Sequence, residues 1–219
     1  MRELDRALAA DRARALALTP VSRETAARLD RFVDLLLKWQ RTTNLIAPST
    51  VPILWTRHIA DSLQLIALAG EAEVWADMGS GAGFPGLVLA CAFREQDKRV
   101  HLIESNTRKA AFLREAAAAT ESPAVIHAVR MQKFVESLDR KIDVVTARAV
   151  SPLDLLLREC APLLQGGTLG LFPKGQDVGV ELTIASRSWR IAAELVPSRT
   201  DPGGRIVVVR GLEGAAQVP

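Results

Sequence analysis

The chain has 219 residues, enough for one domain with an appendage or for two small domains. Hydrophobic residues make up 48% of it and charged residues 24%, as in an ordinary soluble protein, which excludes collagen-like, low-complexity and broadly disordered chains. The longest stretch without a charge, residues 78–93, is too short and too interrupted by glycine and proline for a membrane helix, and the N-terminus lacks the uninterrupted apolar core of a secretion signal.

The cysteines and the charge distribution bear on the cellular compartment and on the kind of partner. Cys91 and Cys160 form no CxxC motif or Cys/His cluster, which argues against a disulfide scaffold or structural zinc and fits a reducing cytoplasm. Residues 1–70 hold 10 lysines and arginines against 7 acids, whereas residues 71–219 hold 18 of each. The basic excess therefore lies at the N-terminus, where it is compatible with a phosphate-binding face without requiring one.

The first 70 residues have the pattern of a small helical unit. From residue 22 to residue 40, apolar side chains recur at three- and four-residue steps, which predicts a helix capped by Ser22. Leu4, Leu8 and the alanines after them predict an earlier helix. A third helical stretch is expected over residues 51–68, with Pro52 in its opening turn.

After Gly70 the pattern changes to strands alternating with helices. Short apolar runs predict strands at residues 74–78, 100–104, 124–129, 142–146 and 168–172, so we expect a parallel sheet covered on both faces. A helix is predicted to start with Ser151 as its cap and to stop at Gly166 and Gly167. Two further strand-like runs, residues 190–196 and 205–210, are separated by turn residues and predict an antiparallel hairpin at the C-terminal end of the sheet.

A glycine-rich segment follows the first predicted strand and carries most of the functional information. Asp77, Gly79, Gly81 and Gly83 form a D-x-G-x-G-x-G motif just before a helix start. Glycines at such spacing let the backbone pass close to a ligand, and the helix start offers free N–H groups. The segment therefore predicts a cofactor-binding loop.

Two cofactors compete for this loop. A dinucleotide would bring a doubly anionic pyrophosphate near Asp77, and Pro85 removes one N–H from the loop, so both residues are unfavourable for it. S-adenosylmethionine carries a sulfonium and an ammonium group, which tolerate an acid at the strand end. Glu104, which ends the next predicted strand, could accept from the ribose hydroxyls of either cofactor. The residues thus favour the methyl donor and leave the dinucleotide open.

Several segments together resemble the RsmG (GidB) family, which transfers a methyl group from S-adenosylmethionine to a guanine N7 of bacterial 16S ribosomal RNA. The resemblance extends over nearly the whole chain, and its most specific part is the RHIADSL segment joined to the proline-containing glycine loop. It implies a class I S-adenosylmethionine-dependent methyltransferase, an α/β fold of Rossmann-like type. Such a fold has a mostly parallel seven-stranded sheet with a C-terminal antiparallel hairpin, here with an N-terminal helical extension. The matching segments are KWQRTTNL (38–45), RHIADSL (57–63), DMGSGAGFPG (77–86), TARA (146–149) and KG (174–175).

The resemblance also implies an organisation and a site. Residues 1–70 would form an RNA-contacting helical unit and residues 71–219 the domain that binds S-adenosylmethionine. Gly79 and Phe84 would line the donor pocket, and Met131 and Gln132 would flank the adenine, although many relatives carry an acid where Gln132 stands. Arg148 matches an arginine of the family's active site and is expected to be catalytic and donor-binding. The remaining expected donor contacts come from the loop and the second strand: Asp77, Gly81, Gly83 and Glu104.

The chemistry of guanine N7 agrees with a site that has no catalytic triad. N7 carries a lone pair and no proton, so its methylation needs no general base, and positioning supplies most of the catalysis. Methylation adds positive charge to the ring, so Arg148 is assigned to positioning a ligand through guanine O6, a phosphate or the donor carboxylate. His58 is expected to pack in a hydrogen-bonded role and not to act as a base.

Other polar residues receive weaker predictions. His101 and His127 lie in strands without metal-ligand spacing, so no metal dependence is expected. Asn44 is predicted at a turn, with a place near the substrate as the alternative. Lys174 is expected either to contact an RNA phosphate or to be solvated.

The predicted partner is 16S rRNA, in the small ribosomal subunit or its assembly intermediate, acted on by a cytoplasmic monomer. Its guanine would have to be unstacked, because N7 of an A-form helix lies in a groove that side chains enter poorly. Two alternatives stay open at this point: a methyltransferase acting on a small molecule or protein, and a dinucleotide-dependent oxidoreductase.

Overall fold

A seven-stranded sheet forms the centre of the molecule in the computed structural model, which describes residues 2–214. The strand order is β3-β2-β1-β4-β5-β7-β6; the first five strands run parallel, and β7 is antiparallel to both β5 and β6. The predicted parallel sheet and its C-terminal hairpin are thus confirmed. The strands are β1 (Val74–Met78), β2 (Arg99–Ile103), β3 (Ala124–His127), β4 (Val144–Thr146), β5 (Leu169–Lys174), β6 (Trp189–Pro197) and β7 (Arg205–Gly214).

Helices cover both faces of the sheet, so that residues of one strand alternate between two cores. In β1, Trp75 packs into the core on one face, whereas Ala76 and Met78 pack into the core on the other, as the two-residue period of a strand requires. Among the described residues the α-helices are α1 (Arg2–Leu18), α2 (Arg23–Gln40), α3 (Asp61–Leu63), α4 (Gly86–Ala92), α5 (Thr107–Thr120), α6 (Met131–Glu136), α7 (Leu153–Gln165) and α8 (Val178–Ala185).

The N-terminal helices share a core with one face of the sheet. Ser22 caps α2 as predicted, its side chain accepting from the N–H of Thr25. On the buried face of α2, the ring of Phe32 lies 5.4 Å from that of Phe84 and 6.2 Å from that of Phe112 on α5, centroid to centroid. A functional boundary at residue 70 stays a prediction, and Met1 and residues 215–219 of the two predicted units lie outside the described residues.

Residues 48–68, here called the helical connector, differ from the single helix predicted over 51–68. The connector passes through a 3₁₀ helix (Pro48–Ile53), a π-helical turn (Trp55–Ala60), α3 and a second 3₁₀ helix (Gln64–Leu68). A regular helix is interrupted because Pro52 has no N–H and because the N–H of Thr56 donates to Asp11 of α1, at 3.0 Å.

The start of α7 also differs from its prediction. Ser151 does not cap the helix; Pro152 occupies the cap position without a side-chain hydrogen bond. The N–H of Leu153 instead donates to Oε2 of Glu181, at 2.7 Å. Glu181 belongs to α8, a helix that the sequence pattern missed because its apolar residues do not form a one-sided stripe. No helix among residues 2–214 combines the length and the apolar character needed to cross a membrane.

Candidate active site

A cleft of about 1230 Å³ opens at the C-terminal ends of the parallel strands, where ligands of open α/β sheets usually bind. Segments that follow β1, β2, β3 and β4 meet there with the helical connector and the turn between β6 and β7. Seven of the predicted site residues line the cleft, whereas Asp77 and Gly83 are buried behind it. The seven are Gly79, Gly81, Phe84, Glu104, Met131, Gln132 and Arg148.

The glycine loop has a backbone that other residues would not adopt. Gly79, Gly81 and Gly83 have φ angles of +73°, +56° and +90°, in the left-handed region that favours glycine. A Cβ added to Gly79 would lie 2.8 Å from Cγ2 of Val150 and 3.2 Å from Cε of Met131. The loop therefore presents bare backbone to the cleft, a cradle that fits a closely held cofactor.

Asp77 supports this loop from below. Its Oδ2 accepts from the N–H of Gly86, at 3.0 Å, where α4 begins, while Oδ1 has no hydrogen-bond partner among the described residues. Burial raises the pKa of Asp77 to about 7. The aspartate thus joins the strand end to the helix start, and its free oxygen is the one buried carboxylate acceptor left beneath the loop in the described part of the chain.

Glu104 also holds the glycine loop in place, through the backbone N–H of Gly81. Its Oε2 accepts from the N–H of Gly81, at 2.9 Å, and its Oε1 accepts from the N–H of Asn106, at 2.7 Å. Each carboxylate oxygen has two acceptor sites, so both can still accept a hydrogen bond from a ribose. The structure therefore gives Glu104 a structural role that is compatible with the predicted one.

Met131 and Gln132 begin α6 at the far wall of the cleft. The side-chain amide of Gln132 donates to Oε1 of Glu159 on α7, at 2.6 Å. Glu159 also lines the cleft. An acid thus stands beside Gln132, although no sequence pattern pointed to Glu159.

Arg148 is held in the cleft by three groups of the helical connector. Its Nη1 donates to the carbonyl of Arg57, at 2.9 Å, and to Oδ2 of Asp61, at 3.1 Å, and its Nη2 contacts Nδ1 of His58. The guanidinium carbon lies 5.4 Å from the ring centroid of Phe84. Burial lowers the pKa of Arg148, and the carboxylate of Asp61 opposes this effect. Arg148 is therefore a half-buried cation paired with a buried anion.

His58 is held neutral beside this cation. Burial, Arg148 and Arg57 together lower the pKa of His58 to about 3. Because a guanidinium only donates, Nδ1 of His58 must accept, so Nε2 carries the proton and donates to Oγ1 of Thr50, at 3.0 Å. The imidazole also stacks on Phe84, with centroids 4.8 Å apart. These contacts agree with the predicted packing role.

Asp61 is the functional candidate that sequence reasoning missed. Its Oδ1 accepts from Oγ1 of Thr200, at 2.7 Å, and from Nε2 of Gln64, at 2.8 Å, while its Oδ2 takes Arg148. Thr200 belongs to the turn between β6 and β7, which is thereby attached to the helical connector. Arg57, His58 and Asp61 stand at i, i+1 and i+4 in RHIADSL, and this spacing was the available signal, since i and i+4 share a helix face.

The secondary candidates lie elsewhere or have other partners. The solvated alternative for Lys174 was wrong, because its Nζ donates to the carbonyl of Ser151 and to Glu181, each at 2.8 Å; contact with an RNA phosphate stays a prediction. Asn44 accepts from Gln40 within a turn and does not line the cleft. His101 and His127 hydrogen-bond to each other, at 2.8 Å. Within residues 2–214 no group of three or more metal-ligating side chains occurs.

Comparison with known proteins decides the family. The sequence model of rRNA small subunit methyltransferase G (GidB) matches residues 25–206. The chain belongs to this family. It is 56% identical to Ribosomal RNA small subunit methyltransferase G of Nitrobacter hamburgensis over 212 residues, 96% of this chain and 82% of that protein. It is 54% identical to the protein of the same name from Bradyrhizobium sp. (strain ORS 278) over 207 residues, 94% and 93% of the two chains.

Solved structures show the same fold in distant proteins. A putative O-methyltransferase from Klebsiella pneumoniae superposes with a TM-score of 0.59 at 16% identity, over 95% of this chain and 99% of that one. A mutant of MtNAS in complex with S-adenosylmethionine superposes with a TM-score of 0.56 at 15% identity, over 84% and 74%. The chain is thus a class I methyltransferase of the rRNA small subunit methyltransferase G family. Family membership also decides the cofactor in favour of S-adenosylmethionine over a dinucleotide.

Proposed function

We propose that the chain transfers a methyl group from S-adenosylmethionine to N7 of one guanine of 16S rRNA, in the cleft at the C-terminal ends of the parallel strands. One observation carries this proposal beyond family membership: Arg148, held by three protein partners, and a bare glycine loop line the same cleft. A cofactor and a flat heterocycle could meet between them.

The donor's contacts follow from the walls of the cleft. Gly79 and Gly81 would lie against it with their backbone, and the carboxylate of Glu104 would accept from its ribose. Gly83, buried behind the cleft, would contribute by holding the loop in shape. Asp77 would act through the loop it supports, and its carboxylate is electrostatically compatible with a cationic donor. When bound, S-adenosylmethionine supplies an electrophilic methyl group on a sulfonium.

The adenine would lie on the far wall. Met131 supplies an apolar surface there, and Phe84 also lines the cleft. Gln132 is engaged with Glu159, so the pair offers the adenine both an amide and a carboxylate acceptor. This arrangement gives the site an acid although position 132 is a glutamine.

The acceptor needs positioning and no proton transfer. Guanine N7 is nucleophilic as it stands, and the neutral, doubly hydrogen-bonded His58 is unsuited to act as a base. Arg148 would orient a ligand with the N–H groups that its protein partners leave free, through guanine O6, an RNA phosphate or the donor carboxylate. The substrate base would be flipped or looped out of its helix.

The wider setting is part of the proposal. Residues 1–70 would contact the RNA around the target guanine, because the basic excess of the chain lies there. The protein would act in the cytoplasm as a monomer, without a metal ion. Its substrate would be 16S rRNA within the small subunit or an assembly intermediate.

The test follows tritiated methyl transfer from S-adenosylmethionine into 30S subunits and into protein-free 16S RNA, both from cells that lack the gene. We expect label in 7-methylguanosine at one position. Arg148→Lys, which keeps the charge and loses the planar fork, should lower kcat/KM at least roughly tenfold. Arg190→Lys changes an exposed arginine remote from the cleft and serves as the matched control.

The other outcomes separate the alternatives. Donor binding without any label in RNA would move the acceptor to a small molecule or a protein. Turnover that is insensitive to ribonuclease would have the same meaning.

A further inference from the structure

Asp61 has the features of a residue that controls the charge of the reaction site. The side chain is 9% exposed, its partner Arg148 is 14% exposed, and both line the cleft. Each residue also has partners outside the pair: Asp61 accepts from Thr200 and Gln64, and Arg148 donates to the carbonyl of Arg57 and contacts His58. The pair is thus a fixed, preorganised element of the cleft.

The charges around the pair are unbalanced without Asp61. Arg57 and Arg148 both act on His58 as cations. Arg57 itself is paired with Asp201 at the exposed rim, at 2.9 Å. The carboxylate that neutralises the buried guanidinium by direct contact is therefore Asp61, with Asp77 acting on it from a greater distance.

The reaction makes this balance important. The methyl donor is a sulfonium, and methylation at N7 leaves a cationic guanine, so positive charge is present in the site before and after the transfer. An unpaired guanidinium nearby would repel both species, and in a site of low polarity such repulsion is strong. A neutral Arg148–Asp61 pair could still direct N–H donors at a ligand without that repulsion.

We propose that Asp61 is a positioning residue that neutralises and orients Arg148, and that it thereby lets the cleft prefer the cationic methyl donor over the neutral product S-adenosylhomocysteine. The proposal rests on the proposed function. It also assigns a reason for the acid in RHIADSL, since the carboxylate sits where the connector, β4 and the β6–β7 turn converge.

The test compares the affinities of purified full-length protein for S-adenosylmethionine and S-adenosylhomocysteine by isothermal titration calorimetry. In Asp61→Asn we expect the preference for the sulfonium over the thioether to fall by roughly tenfold, as for the loss of one charge several ångströms away. Asp30→Asn removes the same charge from an arginine pair away from the cleft and should leave the preference unchanged. Thr200→Val keeps the charge of Asp61 while removing one of its hydrogen bonds, and should shift the preference less than roughly twofold.

A double variant protects the test against misfolding. Asp61→Asn combined with Arg148→Gln removes both charges and should return the preference to within about threefold of the wild type. If Asp61→Asn alone does not fold, the same charge difference is measured between Arg148→Gln and the double variant. An equal loss of affinity for both ligands, or a preference that does not move, would overturn the proposal. Absence of 7-methylguanosine with wild-type protein would instead contradict the proposed function, and the two failures are therefore distinct.

Discussion

At the scale of single residues, Gly79 shows how the glycine loop depends on the absence of a side chain. Its φ of +73° and the 2.8 Å separation between an added Cβ and Val150 both penalise any substitution. The left-handed backbone alone costs about 1–2 kcal/mol for a residue with a Cβ. We therefore expect Gly79→Ala to lower the affinity for S-adenosylmethionine roughly tenfold or more, measured by calorimetry.

Gly175→Ala is the matched control for this prediction. Gly175 also lines the cleft, but a Cβ added there meets nothing within 4 Å among the described residues. The two variants make the same chemical change, so similar donor affinities in both would contradict the role given to the Gly79 backbone.

His58 connects the site to the pH dependence of stability. Burial, with Arg148 and Arg57, lowers its pKa to about 3, below the value of about 6.5 in an unfolded chain. The folded state therefore loses stability as the pH falls from 6.5 towards 3, because the unfolded chain takes up the proton first. Between pH 7 and pH 5 the wild type should lose about 1–2 kcal/mol more than His58→Asn, measured by urea unfolding at each pH.

Because His101 also has a lowered pKa, the contribution of His58 must be measured as the difference between wild type and His58→Asn. Burial lowers the pKa of His101 to about 4, so it adds its own acid-sensitive contribution to both proteins. The difference between wild type and His58→Asn isolates His58. Parallel pH profiles in the two proteins would show that His58 is not held neutral in the way described.

At the scale of elements, Glu181 takes the place of a helix cap. Its Oε2 accepts from the N–H of Leu153 at the start of α7 and from Lys174 at the end of β5. Glu181→Ala should therefore destabilise the protein by about 1–2 kcal/mol in urea unfolding, as for the loss of a capping hydrogen bond. Glu213→Ala, at an exposed pair with Arg190, should change stability by less than about 0.5 kcal/mol, and equal effects of the two would contradict the capping role.

Helix α7 also shows which features could not be predicted from local sequence patterns. The strands and the glycine loop could be predicted because apolar runs and glycine spacing are local properties of the chain. The start of α7 could not, since its cap comes from Glu181, 28 residues further along. The connector likewise loses regular helical form because Asp11 binds Thr56 from 45 residues away.

In the candidate site, too, the residues found from local segments could be predicted and the contacts between distant residues could not. The seven predicted residues that line the cleft were found from motifs and family resemblance, each recognised from its local segment alone. The pairing of Arg148 with Asp61 was not found, because it joins residues 87 positions apart. The bond from Lys174 to Glu181 was missed for a different reason, since a lone lysine in the sequence gives no sign of its partner.

At the scale of the whole molecule, the N-terminal helices and the sheet behave as one packed body. Leu29, Phe32 and Leu36 of α2 belong to the same core as Phe84 and Phe112. The helices therefore hold the connector, and with it His58 and Asp61, against the end of β4. Residues 1–70, proposed to contact RNA, therefore also support the cleft of the methyltransferase domain.

A substitution at Asp11 can test whether the N-terminal helices and the sheet unfold together. The side chain is buried, and its carboxylate accepts from the N–H and the hydroxyl of Thr56, at 3.0 and 2.5 Å. Asp11→Ala leaves two buried donors without a partner and should lower the free energy of unfolding by roughly 2–3 kcal/mol. Because one core joins both parts, hydrogen exchange followed by mass spectrometry should show the same loss of protection in the most protected peptides of α2 and of β1.

Asp34→Ala, at an exposed position of α2, is the control and should leave the free energy of unfolding and the protection of both peptides unchanged. Loss of protection confined to α1 and α2 would mean that the helices fold as a separate unit, in which case Asp11 would stabilise them without holding the site.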